Sequence, residues 1–388
     1  MLYKNLRIIS HLEEFFGWIE LDDSGTIVNL GRGNTDFEGF DCKNNILLPA
    51  FIDSHTHGGY GFSFDDFSSS DWEKNFLEYK EKLHKFEGVA AIFGATVTQS
   101  WPKIQHNSEF FSFLLKKYPY FLLNWYLEGP FISVEKKGAH DPNLIISAKN
   151  FHFEFLAKKF AKKITVVIAP ERNSTKLIDF YHKSINFAIG HSNCFNFEKD
   201  HELKNYRRFT HFFNGSSNFD HRSQSLTNLI FESKLPRNFL VELITDGLHI
   251  RNSTLKFTIK NLKKENWIAV SDSLAQKGLK DGFYNLGNLE TEKKGDLFYL
   301  KNSEQIAGSG MSYLSILKNL KKNLKLSWQE IVFCSSYNVA KAHNLLDYFG
   351  TIKIGQKANF VIVGDDFNLK MVVIFGQIYS HFLKTRVS

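Results

Sequence analysis

Two histidines that could bind a transition metal stand at the end of an apolar run near the start of the chain. Residues 47–52 are apolar except for Pro49 and predict a buried strand, and His55 and His57 follow it. Because side chains alternate along a strand, both imidazoles should lie on the same side. Two adjacent imidazoles suit a divalent transition metal such as zinc. The pair alone does not separate a metal site from two ordinary histidines.

Further acids and imidazoles follow apolar runs later in the chain. Glu128 follows the run at 121–127, His191 the run at 187–190, His211 lies within the run at 209–213, and Asp272 follows the run at 267–271. One carboxylate with two imidazoles is the ligand set of a catalytic zinc site, which keeps one position open for water. Asp272 could then act as a general base toward that water. Each residue alone has a structural explanation, but their joint placement favours the metal site.

The stretches that carry these residues alternate short apolar runs with longer amphipathic segments. Strands are predicted at residues 47–53, 89–98, 121–127, 164–169, 187–190, 209–213, 240–245 and 267–271, and helices at 71–87, 150–162 and 174–183. Strand–helix alternation repeated about eight times predicts an α/β protein with a parallel (β/α)8 TIM-like barrel. Active sites of such barrels lie at the carboxyl ends of the strands, where the polar residues above are found.

Both ends of the chain are richer in strand signals than in helix signals. Residues 18–21 and 26–28 flank a turn signal at 22–25, and strand-like segments recur at 360–363 and 370–379. We therefore predict a small β-sandwich domain formed by residues 1–46 and 350–388. The remaining residues, 47–349, would form the catalytic barrel.

Composition narrows the class of protein further. The 388 residues carry a net charge of +7 with 43% hydrophobic residues, as in globular proteins. The lysines are spread along the chain, which indicates solvated helix faces, and no nucleic-acid-binding module is recognisable. Three scattered cysteines do not make a disulfide framework. The early charges argue against a signal peptide, and no apolar run is long enough for a membrane span. We expect a cytoplasmic protein that binds neither nucleic acid nor membrane.

Several motifs fall in an order that belongs to one family. LEGPFISVEKKGAH occupies residues 127–140, and GHSN, THFFN, His221-Arg222, DGLH and the AGS of residues 307–309 follow it. PAFIDSHTHGG precedes the series, and GTIKIGQKANFVIV comes near the end. Over almost its whole length the chain resembles the N-acetylglucosamine-6-phosphate deacetylases of the amidohydrolase superfamily.

The resemblance implies a role for each matching residue. Glu128, His191 and His211 would hold the metal, and Asp272 would be the catalytic acid/base. Some family members bind a second ion through an H-x-H pair, and others replace that pair and use one metal. Because His55 and His57 are both present, the resemblance implies one or two ions, the second of them held by this pair. Contacts to the substrate are implied for Ala139, His140, Asn214, Gly215, Arg222, His249, Ile306, Ala307 and Gly308, with residues 306–308 forming a loop that closes over the substrate.

The implied reaction is hydrolysis of the acetamide of N-acetylglucosamine 6-phosphate to glucosamine 6-phosphate and acetate. The metal would lower the pKa of a bound water and polarise the acetyl carbonyl. Asp272 would take the water proton and return it to the leaving amine, and His140 would help to stabilise the oxyanion. Zinc is favoured as the metal, with iron, manganese and cobalt as alternatives. A homodimer is also implied, because the phosphate-binding arginine can come from a neighbouring subunit in this family.

Three segments depart from the family pattern. Residues 214–216 are NGS where the family commonly has NAM, residues 271–273 are SDS for TDA, and residues 275–278 are AQKG for APxG. These changes spare the proposed ligands but bear on which amino-sugar phosphate is preferred.

Two other readings of the chain are open. A dihydroorotase-like or deaminase-like amidohydrolase is disfavoured, because such enzymes often use a carboxylated lysine where this chain has Glu128. A non-catalytic relic that binds a sugar phosphate is disfavoured by the intact ligand set.

Overall fold

The structure, a computed structural model, describes residues 1–381. It divides into two compact units. One contains Met1–Asp53, Lys80–Ala90 and the described residues from Tyr313 onward, and the other contains Ser54–Tyr79 and Ala91–Ser312. The domain boundaries expected at residues 46/47 and 349/350 stay a prediction.

Eight strands form a sheet in which they neighbour one another in chain order, and each pairing with an assigned register is parallel. They are Phe51–Thr56, Val89–Thr96, Leu122–Leu127, Ile164–Ile168, Asn186–Ile189, Arg208–Phe209, Leu240–Ile244 and Trp267–Val270. The last strand returns to the first, because the Asp272 N–H donates to the His55 carbonyl at 3.0 Å and the His57 N–H to the Ser273 carbonyl at 2.8 Å. The predicted parallel barrel is confirmed.

The barrel strands are apolar because side chains on both of their faces are buried. Every residue of Val89–Thr96 and of Ile164–Ile168 is buried, which explains why these runs do not alternate in polarity. The helices show one apolar stripe instead. Tyr313–Lys322 buries Tyr313, Ile316, Leu317 and Leu320 at helical spacing. The α-helices are Trp72–Lys82, Trp101–Lys117, Asn150–Phe160, Thr175–Tyr181, Leu226–Glu232, Asn252–Asn261, Tyr313–Lys322, Trp328–Val332 and Asn338–Ala342.

Two predicted strands differ from those in the structure. The run at 47–53 belongs to two strands, Ile46–Pro49 and Phe51–Thr56, and the first of them pairs antiparallel with Phe360–Val363 in another sheet. The chain is apolar on both sides of Ala50, where one strand ends and the next begins, so the pattern contained no sign of the change of partner. The run at 209–213 is a strand only over Arg208–Phe209, because His211 and Phe213 have φ of 26° and 78° and turn the chain.

Strands from both ends of the chain form a second eight-stranded sheet, as predicted. Its strands are Leu2–Ile9, Glu14–Leu21, Ile27–Arg32, Phe40–Asp41, Ile46–Pro49, Phe360–Val363, Leu369–Ile374 and Gln377–His381. Ile19 and Ile27 share one buried cluster with Phe360 and Met371, although other strands separate them in the sheet order. The sheet therefore curls around its own core.

A four-stranded antiparallel sheet follows the last barrel strand and was not predicted. Its strands are Gly282–Leu286, Leu289–Lys294, Leu297–Leu300 and Ile306–Ser309. Residues 306–308, expected as a loop, therefore lie in a strand. The sheet packs through Leu286 and Phe298 against Val97 and Leu274. A further short pairing joins Gly58–Gly59 to Phe62–Ser63.

Among the described helices, none combines the length and the apolar character that a membrane span requires.

Candidate active site

Three of the predicted site residues occupy strained backbone positions at the ends of barrel strands. His191, His211 and Asp272 have φ of 46°, 26° and 48°, in a region that side chains with a Cβ rarely adopt. Such strain is concentrated at functional sites, where the surrounding structure holds it in place. Here it ends each strand sharply and places the side chain at the wall of a common cavity.

The Glu128 carboxylate lies at the centre of four imidazoles. Its Oε1 atom is 2.7 Å from His211 Nε2 and 2.8 Å from His191 Nε2. Its Oε2 atom is 2.9 Å from His57 Nε2 and 3.3 Å from His55 Nε2. The Glu128 residue is 2% exposed. Glu128 thus divides the histidines into two pairs, one at each oxygen.

Asp272 lies on the side of the His55–His57 pair. Its Oδ1 atom is 3.4 Å from His57 Nε2 and 3.5 Å from His55 Nε2. One ligand atom from each of His55, His57, Glu128 and Asp272 lies within 4.8 Å of the others. The structure therefore brings together all six residues for which a metal-binding or acid/base role was predicted.

The tautomers of His191 and His211 indicate whether these side chains fit a metal ion. His191 Nδ1 donates to the Lys136 carbonyl at 2.8 Å, and His211 Nδ1 donates to the Asn214 carbonyl at 3.1 Å. Since a carbonyl can only accept, each neutral ring turns an unprotonated Nε2 toward Glu128. The two Nε2 atoms are only 3.1 Å apart. Lone pairs that converge in this way on a carboxylate oxygen fit a cation, and the ligand types are those of a divalent transition metal.

His55 is held in the same tautomer by a buried acid. Its Nδ1 lies 2.9 Å from Oε2 of Glu242, whose side chain is fully buried. A carboxylate behind a metal-ligating histidine fixes the ring and makes it a stronger base. When the His55 ring is neutral, it therefore also turns an unprotonated Nε2 toward Glu128.

The electrostatic field at the centre favours positive charge. Burial opposes protonation of His55, yet Glu128 and Glu242 raise its pKa well above the usual value. Burial likewise opposes protonation of His57, but hydrogen bonds to Asp272 and Glu128 raise its pKa to about 9. Protons and metal ions compete for the same nitrogen atoms, and this field attracts both.

His140 has the opposite tautomer. Its Nδ1 accepts the Thr98 N–H at 3.1 Å and lies 2.8 Å from the Thr98 hydroxyl, so the neutral ring carries its proton on Nε2. Burial and the neighbouring His191 lower the pKa of His140 well below the usual value. The residue is thus a neutral hydrogen-bond donor in the cavity that it lines.

A cavity of about 380 Å³ opens beside the centre. Its apolar wall includes Val97, Leu274 and Leu286, and Glu304 and Gln305 also line it. Of the residues predicted to contact substrate, the cavity is lined by Ala139, His140, Asn214, Gly215, His249, Ile306, Ala307 and Gly308.

Arg222 was predicted to contact the substrate but does not line this cavity. It is exposed, and its N–H donates to Asp220 Oδ1 at 2.7 Å. Among the described residues, no lysine or arginine lines the cavity.

His249 is held by Asp246, a residue for which no role was predicted. His249 Nδ1 lies 2.6 Å from Asp246 Oδ2, and Asp246 Oδ1 accepts the N–H groups of Leu248 and His249 at 2.8 and 2.9 Å. His249 Nε2 is buried with no hydrogen-bond partner among the described residues. The dyad therefore holds an unused polar atom at the cavity wall.

Glu242 and Thr98 were also missed as supporting residues. Glu242 stands within the apolar run LVELI, and an acid in a strand buried on both faces is a signal that could have been noticed. Thr98 follows a run of buried residues and gives no comparable signal.

The chain matches one protein family over most of its length. A model of the Amidohydrolase family matches residues 46–379. N-acetylglucosamine-6-phosphate deacetylase of Bacillus subtilis (strain 168) is 28% identical over 348 residues, which cover 86% of this chain and 85% of the relative. The protein of the same name from Danio rerio is 26% identical over 377 residues, covering 91% and 90%.

Solved structures agree with these matches. The N-acetylglucosamine-6-phosphate deacetylase of Thermotoga maritima superposes with a TM-score of 0.83 and 28% identity, covering 98% of this chain and 100% of that one. The enzyme of that name from Mycobacterium smegmatis has a TM-score of 0.86 at 20% identity, covering 98% and 99%, which supports the fold alone. The resemblance predicted from the motifs is confirmed.

Proposed function

The chain belongs to the amidohydrolase family, and from this we propose that it hydrolyses the acetamide of N-acetylglucosamine 6-phosphate to glucosamine 6-phosphate and acetate. The observation that carries the proposal is the Glu128 carboxylate set between two histidine pairs, with Asp272 beside it. Relatives that are 26–28% identical over most of the chain carry the name of that activity.

The residues around Glu128 would accommodate two divalent ions. Oε1 with His191 and His211 would hold one ion, and Oε2 with His55 and His57 would hold the other. Nitrogen and oxygen donors of this kind favour zinc, with iron, manganese and cobalt as alternatives. Such ions supply Lewis acidity, which polarises a carbonyl and lowers the pKa of water.

Asp272 serves as the general base and then as the general acid. Burial opposes its ionisation, but the neighbouring His55 and His57 lower its pKa below the usual value. It is therefore a carboxylate at neutral pH and can take the proton of the attacking water. Because an amine must leave in its protonated form, the same carboxyl group returns the proton to the nitrogen.

His140 stabilises the oxygen of the acetyl group as negative charge develops on it. Its ring is neutral and keeps its proton on Nε2, because Thr98 occupies Nδ1. A fixed donor in a buried site needs no reorganisation during the reaction, which is the basis of oxyanion stabilisation.

The sugar lies between the apolar wall and the polar residues Asn214 and His249. Because the described cavity contains no cationic side chain of the lysine or arginine type, we assign the phosphate to Arg222 of a second copy, whose planar guanidinium suits phosphate oxygens. The working form is then a homodimer in the cytoplasm, with a small anionic sugar as its substrate.

The test is acetate release from N-acetylglucosamine 6-phosphate by wild type and by Asp272→Asn, each with its metal content determined. We expect the variant to retain metal and to lose about 100- to 10,000-fold in kcat. The exposed Asp23→Asn serves as a matched control and should retain the wild-type rate. Wild type that holds metal but releases no acetate from this substrate or its galactosamine and mannosamine counterparts would contradict the proposal.

A further inference from the structure

A buried carboxylate supports one half of the candidate metal centre from behind. Oε2 of Glu242 lies 2.9 Å from His55 Nδ1 and accepts the His211 N–H at 3.2 Å. Its Oε1 accepts Arg208 Nη1 at 2.8 Å and the Tyr126 hydroxyl at 3.0 Å. Both Glu242 and Arg208 are 0% exposed. Each oxygen of Glu242 therefore receives two donors.

The hydrogen bonds to Glu242 determine where the neutral His55 ring carries its proton. An ionised carboxylate can only accept, and the Arg208 guanidinium can only donate. The proton of the neutral His55 ring must then be on Nδ1, and its Nε2 keeps a lone pair that faces Glu128. Arg208 supplies a positive charge beside Glu242, which keeps that carboxylate ionised in the barrel interior.

We propose that Glu242 is a positioning residue that fixes the tautomer and orientation of His55, and so determines whether the His55–His57 half of the centre holds its ion. The inference rests on the proposed function, because it concerns the same metal centre.

The other half of the centre does not depend on Glu242 for its tautomers. The Nδ1 atoms of His191 and His211 are held by main-chain carbonyls of Lys136 and Asn214. Glu242 meets His211 only at its main-chain N–H. A change in the side-chain chemistry of Glu242 should therefore affect one ion much more than the other.

The variant Glu242→Gln tests this selectivity. Because Arg208 can only donate, the amide oxygen must face Arg208, and the amide NH2 then faces His55 Nδ1. His55 must accept there and carry its proton on Nε2, which removes the lone pair available to a metal. We expect the metal content to fall from two ions per chain to one after dialysis against a chelator-buffered zinc solution. The affinity for the lost ion should fall by about 10- to 100-fold.

Two further variants serve as controls. Tyr126→Phe removes one donor from Oε1 of Glu242 but leaves His55 and Oε2 in place, so it should keep both ions. His55→Ala should lose the same ion as Glu242→Gln, and the double variant should lose no more. Non-additivity of this kind identifies two residues that act as one unit.

Glu242→Gln changes the partner of a buried arginine, so a second variant and a measurement on wild type are used in case it fails to fold. Glu242→Asp keeps the charge beside Arg208 but is one methylene too short to reach His55 as Glu242 does, and it should lose the same ion. The tautomer can also be measured in wild type by long-range ¹⁵N–¹H NMR of labelled histidines, with His55→Gln used for assignment. A neutral His55 ring that carries its proton on Nε2 and none on Nδ1 would overturn the inference.

The outcomes separate this inference from the proposed function. Wild type that holds no ion contradicts the deacetylase proposal itself. Folded Glu242→Gln with the same metal content and affinity as wild type, whether that content is one ion or two, overturns the role of Glu242 and leaves the deacetylase proposal standing.

Discussion

Replacing His140 with alanine should lower kcat by about 100- to 1,000-fold, the cost expected when one oxyanion donor is removed from a buried site. His140 is 5% exposed, so its Nε2–H acts in a medium from which most water is excluded. The acetyl oxygen gains its charge only during the reaction. The loss should therefore fall on kcat, while KM changes little.

Thr98→Val should lower kcat much less than His140→Ala does. It removes the hydroxyl 2.8 Å from His140 Nδ1, but the main-chain N–H of residue 98 still donates to the same atom at 3.1 Å. The tautomer should therefore persist. Loss of one hydrogen bond of about 1 kcal/mol predicts a decrease in kcat of only about fivefold.

The assay is the pH dependence of acetate release by wild type, His140→Ala and Thr98→Val. Because burial and His191 lower the pKa of His140 well below the usual value, the ring is neutral throughout the range from about pH 6 to 9. Removing it should lower the whole profile without removing either limb. A loss of kcat below about threefold, a loss confined to KM, or the disappearance of one limb would refute the assignment of His140 as a neutral donor.

Two further predictions concern the metal centre and the cavity wall. Metal binding at pH 7.5 should release protons from His55 and His57, because in the metal-free site the pKa of His57 is raised to about 9 and that of His55 is raised well above the usual value. The proton release should decrease as the pH rises above about 9, where His57 is already neutral. Calorimetry in buffers of different ionisation enthalpy measures the release, and heats that do not depend on the buffer would contradict it. Asp246→Asn should raise KM by about 10- to 100-fold, because it replaces the charge-assisted hydrogen bond to His249 Nδ1. Steady-state kinetics measure this change. An unchanged KM, or an additive effect in the double variant with His249→Ala, would show that Asp246 and His249 do not act as a unit.

The sequence allowed much of the barrel and its centre to be predicted, because both follow from simple periodicities. Buried parallel strands read as apolar runs, and the fold brings their carboxyl ends together. A polar residue directly after such a run therefore predicts a site, as it did for His191 and Asp272. The same rule missed Glu242, because it lies inside a strand and its role depends on His55, which is 187 positions away in the chain.

The remaining errors have a similar origin. The break at Ala50 leaves no mark in composition, because the strands on either side of it are equally buried in different sheets. The four-stranded sheet has short, partly exposed strands, and its local signals are turn residues such as Gly287, Gly295 and Asn302. The sheet packs against Val97 and Leu274, which lie outside it in the chain. Intrinsic strand propensity does not report such tertiary contacts and therefore gives little indication of the sheet.

The four-stranded sheet can change in sequence without altering the residues of the metal centre. Its strands pair chiefly with one another, yet Leu286 and residues 306–308 form part of the cavity wall. The histidines and acids of the centre belong to the barrel strands and the turns that follow them. Substitutions in this sheet can therefore reshape the space offered to a sugar while the hydrolytic machinery stays intact. Divergence toward a different acylated amino sugar would be expected to begin in these strands.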